Sequence, residues 1–168
     1  MSDNPLIKIV DEQKQGEPVG VYSICSSNWK VIEASLHHAK EQDSYILIEP
    51  TVNQVNQFGG YTGMTPKDFV SRLRDTAKTI DVSFSRIILG GDHLGPNPWK
   101  SETAEVAMKH SMKLVREYVL NGFNKIHLDA SMRCSDDSGD PHTPMDDYTV
   151  AERTAQLCEV AEEAHNQL

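Results

Sequence analysis

The adjacent pair Asp92-His93 is the part of this chain best equipped for chemistry. It follows a short apolar run, Ile87-Ile88-Leu89, and two glycines, and a second turn comes at Gly95-Pro96. A carboxylate can donate, accept or bind a metal, and an imidazole can ligate a metal or move a proton near neutral pH. Delivered at the C-terminal end of a buried strand, the two would sit where α/β folds keep their chemistry. Asp92 is therefore the candidate acid/base and His93 the candidate metal ligand. The competing reading is a turn in which Asp92 caps and His93 is a polar loop residue.

Two further strand ends carry polar groups. After the apolar run at 45–48 come Glu49 and then Asn53, Gln54, Asn56 and Gln57, with Gly59-Gly60-Tyr61 beyond. Side-chain amides both donate and accept, so Glu49, Asn53 and Gln57 suit sugar hydroxyls. Alternatively, such a loop satisfies its own backbone. The third end reads His127-Leu128-Asp129-Ala130-Ser131-Met132-Arg133. Period-two alternation puts His127 and Asp129 on one side of a strand and Ile126 and Leu128 on the other. Asp129 is thus expected on the same rim as Glu49 and Asp92. Ser131 and Arg133 are candidates for phosphate, with pairing to Asp136 or Asp137 as the alternative for Arg133. His127 reads as a buried or half-buried structural histidine. His37, His38, His110 and His165 read as solvated groups on helices.

The elements that must position these groups form one unit repeated four times: apolar strand, loop, amphipathic helix. Strands are expected at 19–25, 45–48, 87–89 and 125–128. Ser26 or Ser27 can cap a helix over 29–41. Thr65-Pro66-Lys67-Asp68 combines a cap, a proline at the first helical position and an acid at the positive helix end. Phe69, Leu73 and Ala77 then recur at four-residue spacing. Ser101-Glu102 opens a third helix with the inner stripe Met108, Met112, Val115 and Val119, and Asn121-Gly122 stops it. Val150, Leu157, Val160 and Ala164 give the fourth helix its inner face. Residues 133–147 are polar and long for a connection, so they read as a surface loop and a candidate lid. Residues 1–17 form a polar N-terminal segment. Four alternating units predict a parallel-sheet α/β fold with right-handed crossovers, in one domain spanning 1–168. A barrel needs eight such units, so alternation alone leaves open a small open sheet or the first half of a barrel.

Composition narrows the function classes. Sixteen Lys and Arg stand against 25 Asp and Glu, a net charge of −9, which argues against a nucleic-acid or anionic-membrane surface. No apolar run approaches a membrane span, and the polar N-terminus lacks the core of a secretory signal. Cys25, Cys134 and Cys158 are odd in number and widely spaced, so neither a disulfide framework nor a zinc knuckle is indicated and a cytoplasmic setting is expected. P-loop, nucleophile-elbow and dinucleotide motifs are absent.

Three stretches then carry a resemblance: NQVNQFGGYTGMTP from Asn53, ILGGDHLGPNPW from Ile88 and KIHLDASMRC from Lys125. From about Val19 onward the chain resembles the non-catalytic subunit family of D-tagatose-1,6-bisphosphate aldolase, the GatZ/KbaZ type. The resemblance implies a TIM (β/α)8 barrel, of which about the first four β/α units lie in this sequence, so the chain reads as an N-terminal fragment of a longer protein. It implies a subunit that supports the activity and stability of a class II, zinc-dependent aldolase catalytic subunit in galactitol or N-acetylgalactosamine catabolism. Sugar phosphate is the implied ligand, and a divalent metal such as zinc is implied chiefly in the partner subunit. The alternative implied by some relatives is a metal-dependent 4-epimerase acting on fructose 6-phosphate and tagatose 6-phosphate. By comparison with class II aldolases, Asp92 takes the place of a catalytic acid and His93 that of a zinc ligand.

Overall fold

The computed structural model describes residues 4–140 and 142–168. Four strands, β1 (Ser23–Ile24), β2 (Ile46–Ile48), β3 (Ile87–Leu94) and β4 (Lys125–Leu128), lie parallel in the order 1-2-3-4. Helix α1 (Pro5–Lys14) precedes the sheet. Helices α2 (Trp29–Glu41), α3 (Pro66–Ile80) and α4 (Ala104–Leu120) connect successive strands, and α5 (Asp147–His165) follows β4. Among the described residues no helix is long and apolar enough to cross a membrane.

Sequential order with right-handed crossovers puts the connecting helices on one face of the sheet. The registers divide the strand residues accordingly. Ile24, Ile48 and Leu89 are partners across three strands and join the main core with Ile32, Leu36, Phe69, Leu73, Leu114, Val115 and Leu157. Ser23, Leu47 and Ile88 are partners one position out of phase. Leu47 and Ile88 lie outside that core cluster. The second face therefore carries Ser23, Glu49, Gly90, Asp92 and Lys125, and it is the face that matters for chemistry.

Local signals explain the helices. In α3, Thr65 and Asp68 cap each other's backbone N–H groups in a full capping box, with Pro66 in the first turn. Helix α2 matches the expected 29–41, but Asn28 rather than either serine caps it. Helix α4 begins at Ala104, later than the expected Ser101. Its first N–H is capped from a distance, by Asp136 Oδ1 at 2.7 Å, which the local sequence does not reveal. The polar segment 1–17 contains α1, capped by Asn4 with proline in its first turn. Residues 1–3 of that segment lie outside the described residues.

Two strands differ from expectation. Only Ser23–Ile24 of the stretch 19–25 pairs, because β1 is an edge with a single, three-residue neighbour. Strand β3 runs on through both glycines to Leu94, five residues past the expected end. A Cβ at Gly90 would lie 2.7 Å from the Glu49 Cβ, and one at Gly91 2.7 Å from Leu94 and Tyr118. The glycines are thus close-packing positions on the two faces of a strand, not the start of a turn.

The loop at 133–147 is tied down. Arg153 grips Asp137 through two bonds of 2.6 and 2.9 Å, and both side chains are nearly buried. Arg133 donates to the carbonyls of Ser138 and Pro144. Pro141 lies outside the described residues. His110, expected in solvent, is half-buried and packs against Phe58 and Trp99.

Candidate metal centre

The site forms at the C-terminal end of the sheet, where β3 departs from regular pairing. Gly91 partners Ile126 and Leu94 partners Leu128. Two residues of β3, Asp92 and His93, therefore stand opposite one residue of β4, His127, which is the definition of a bulge. His93 takes the left-handed conformation, φ +52°. Asp92 is stitched to the chain beyond β2 by its N–H to the Pro50 carbonyl (3.1 Å) and its own carbonyl to the Val52 N–H (3.2 Å). Gly95 lets the following turn meet the end of β4, since a Cβ there would fall 1.8 Å from the Asp129 carbonyl oxygen.

Asp92 is the hub and is buried. His127 Nδ1 lies 2.7 Å from its Oδ1, and His93 Nδ1 lies 2.8 Å from its Oδ2. The Cys25 thiol donates to Oδ2 at 3.1 Å. An ionised carboxylate can only accept, so both imidazoles present N–H to it. Burial alone would raise the Asp92 pKa. The bonds from His127, Cys25 and His93 outweigh it and hold the carboxyl at about 2. Burial and the neighbouring carboxylate push the Cys25 thiol up to about 12. The two imidazole rings lie 4.4 Å apart.

A second polar cluster adjoins the hub. Glu49 is buried, accepts from the Ser23 hydroxyl and pairs with the Lys125 ammonium. Lys125 Nζ is also 3.9 Å from Asp92 Oδ1. Lys125 places a cation between two buried carboxylates that share one face.

Ligand atoms of Asp92, His93 and His127 lie within 4.8 Å of one another. Two imidazole nitrogens and a carboxylate are a donor set that suits a divalent transition ion, so these residues fit a metal.

The sequence candidates separate by location. Asp92 and His93 are at the centre, Glu49 adjoins it, and Asp129 lies nearby. Burial raises the Asp129 pKa, but the Ser131 hydroxyl and N–H, helped by the two imidazoles, bring it below its ordinary value. Ser131 is exposed and spends its hydroxyl on Asp129 at 2.6 Å. Asn53 is exposed beside Tyr61, whose N–H bonds the Asn53 carbonyl. Gln57 turns away to the His110 carbonyl of α4 at 3.0 Å. Arg133 stays within its own loop. Gln54 and Asn56 bond backbone of the 51–60 loop.

His127 was expected to be structural, and it is half of the imidazole pair. Alternation already placed it on the face of Asp129, and that signal extends one step back to Lys125. Ser23 and Cys25, two residues apart on the edge strand, were equally legible by alternation and equally overlooked as site groups.

Residues 6–168 match the family described as D-tagatose-1,6-bisphosphate aldolase subunit GatZ/KbaZ-like. A D-tagatose-1,6-bisphosphate aldolase subunit GatZ from Klebsiella pneumoniae is 52% identical over 155 residues, covering 92% of this chain and 36% of the relative. The Salmonella agona protein of the same name is 49% identical, covering 95% of this chain and 37% of its own length. The crystal structure of a probable tagatose 6 phosphate kinase from Sinorhizobium meliloti superposes with a TM-score of 0.82 at 46% identity, over 87% of this chain and 37% of that one. The chain thus spans little more than a third of the length of these relatives. On the match across its α/β units, it belongs to the GatZ/KbaZ-like family of D-tagatose-1,6-bisphosphate aldolase subunits.

Proposed function

We propose that this chain forms the first half of a (β/α)8 barrel in a cytoplasmic subunit that supports a class II, zinc-dependent D-tagatose-1,6-bisphosphate aldolase. The observation that carries the reading is its 52% identity to a protein named D-tagatose-1,6-bisphosphate aldolase subunit GatZ. The four parallel strands in sequential order, with their polar ends on one rim, suit half of a barrel.

In this reading the rim binds a sugar phosphate beside a divalent ion. Asp92, His93 and His127 would hold the ion, which, when bound, supplies Lewis acidity toward a sugar oxygen. Asp92 holds both imidazoles through their Nδ1–H groups, bonds that an ion bound by all three residues would replace. Lys125 and Ser23 hold Glu49 beneath it. Asp129 and Ser131 would meet sugar hydroxyls beside the imidazoles and Asn53 would do so from the exposed loop after β2, while Gln57 and Arg133 brace the loops that carry the rim.

The test adds this chain to a purified zinc-loaded aldolase subunit and follows cleavage of tagatose 1,6-bisphosphate. The expected result is a higher rate or a longer half-life of the catalytic subunit, with no cleavage by this chain alone. Metal-dependent interconversion of fructose 6-phosphate and tagatose 6-phosphate by this chain alone, lost in the Asp92→Ala/His93→Ala variant, would overturn the reading in favour of an epimerase.

A further inference from the structure

We propose that Lys125 is the specificity-determining residue of the metal centre: it cancels the charge of Glu49, so that a divalent ion held there keeps a net positive charge and takes an anionic oxygen ligand from solution rather than a neutral hydroxyl. The inference rests on the reading that Asp92, His93 and His127 hold the ion, and it assigns the chemical class of what that ion meets.

The placement of Lys125 is a product of three strands. It opens β4 opposite Gly90 of β3. Glu49 comes directly after β2, on the other side of β3. The two side chains meet because Gly90 has none between them. A Cβ there would fall 2.7 Å from the Glu49 Cβ and 2.9 Å from its Oε2, the oxygen that Lys125 Nζ binds. The same ammonium lies 3.9 Å from Asp92 Oδ1. Glu49 Oε1 is taken by the Ser23 hydroxyl. Both carboxylate oxygens of Glu49 are thus engaged, and the ligand atoms gathered at the end of the sheet are those of Asp92, His93 and His127, without Glu49.

Counting charges gives the class of ligand. Glu49 and Lys125 cancel as a pair. Two neutral imidazoles and one carboxylate then offset a single charge of a divalent ion, which leaves the ion and its ligands with one positive charge. Three protein ligands leave a position open on a tetrahedral ion, and on a cationic centre that position favours an anionic oxygen over a hydroxyl. Without Lys125, the charge of Glu49 would stand uncompensated and offset the remaining charge of the centre. Asp129, the other acid beside the imidazoles, lies outside the ligand set, and its charge is the same in every variant compared below. A purely structural Glu49–Lys125 bridge, tying β2 to β4, would leave the ion's choice of ligand unaltered.

Cobalt(II) and inorganic phosphate test this. Chelator-treated protein is loaded with Co2+ and titrated with phosphate at neutral pH and low salt, with glycerol as the neutral hydroxyl. The visible bands of the ion report what joins it. In the wild type, phosphate is expected to shift the bands and glycerol is not. In Lys125→Met the phosphate dissociation constant should rise at least roughly 10-fold, as loss of one unit charge beside the ion requires. Lys125→Met/Glu49→Gln removes both charges at once and should return phosphate affinity to the wild-type level. A direct Lys125–phosphate contact, or distortion of the site by loss of the bridge, would leave the double variant weak. Thermal melts confirm that each variant folds. Wild-type bands that ignore phosphate or answer glycerol equally, a Lys125→Met affinity equal to the wild type, or weak binding in the double variant would overturn the role of Lys125 while leaving the metal centre standing. Absence of any cobalt binding by the wild type would overturn both.

Discussion

Asp92 and His93 are neighbours in the chain, yet both side chains reach the same site. In a regular strand they would face opposite sides of the sheet. The extra residue in β3 between Gly91 and Leu94, with His93 at φ +52°, brings both opposite His127 and returns Leu94 to the core face. Bulges are rare in parallel sheets and are enriched beside active sites. Here the bulge is the device that assembles two imidazoles around one carboxylate.

The left-handed conformation of His93 has a cost that can be measured. A residue with a Cβ pays about 1 kcal/mol there, and glycine does not. His93→Gly and His93→Ala remove the same imidazole contacts, so their difference isolates the backbone. Urea unfolding should find His93→Gly more stable than His93→Ala by about 1 kcal/mol. Equal stability, or the reverse order, would show that the bulge relaxes without its side chain.

Gly95 holds the turn after β3 against β4. Its Cβ position lies 1.8 Å from the Asp129 carbonyl oxygen, a backbone atom that cannot rotate away. Gly95→Ala should therefore destabilise the fold by about 3 kcal/mol, at the upper end of overpacking costs. It should also separate the end of β4 from Asp92. Denaturation midpoints and the amide shifts of His127 and Asp129 would check both effects.

Tyr118 links the helix layer to the loop below the site. The side chain is fully buried, and its hydroxyl donates to the Val55 carbonyl at 2.9 Å. Tyr118→Phe keeps the ring and strands that carbonyl. The expected loss is about 1 to 2 kcal/mol, and a neutral substitution would mean that water or a shifted loop restores the bond.

The Asp137–Arg153 pair gives a pH signature. Arg153 holds the Asp137 carboxyl below its ordinary value of 3.8. Burial opposes this shift, and the Cys134 N–H assists it. A carboxyl depressed in the folded state stabilises the fold above its unfolded pKa, and that contribution is lost as pH falls through the lower folded value. Asp137→Asn leaves Arg153 nearly buried without its counter-charge and should cost about 3 kcal/mol at neutral pH. The gap between wild type and variant should stay constant down to about pH 5 and shrink below about pH 4. A gap unchanged at pH 3 would mean that the ion pair contributes nothing to the difference.

The amino-acid sequence by itself determined the order of the four strands and of the helices that follow them, though not α1. Apolar runs at 45–48 and 125–128, the Thr65-Pro66 helix start and the Asn121-Gly122 stop are local signals, and each element formed where its signal lay. The shared rim of Glu49, Asp92 and Asp129 was likewise legible from strand ends and alternation. What required the tertiary structure were the features set by contacts between distant residues. Gly90 and Gly91 read as a turn, because nothing local shows that Glu49 and Tyr118 occupy the space their side chains would need. The cap of α4 comes from Asp136, beyond β4. His127 became a site residue because β4 pairs across a bulge in β3, and a bulge is a property of two strands together. Cys25, Lys125 and Ser23 acquired roles for the same reason. A side chain's partner on a sheet face is chosen by the register of the neighbouring strand, and register is fixed by packing of the whole layer rather than by the residues on either side.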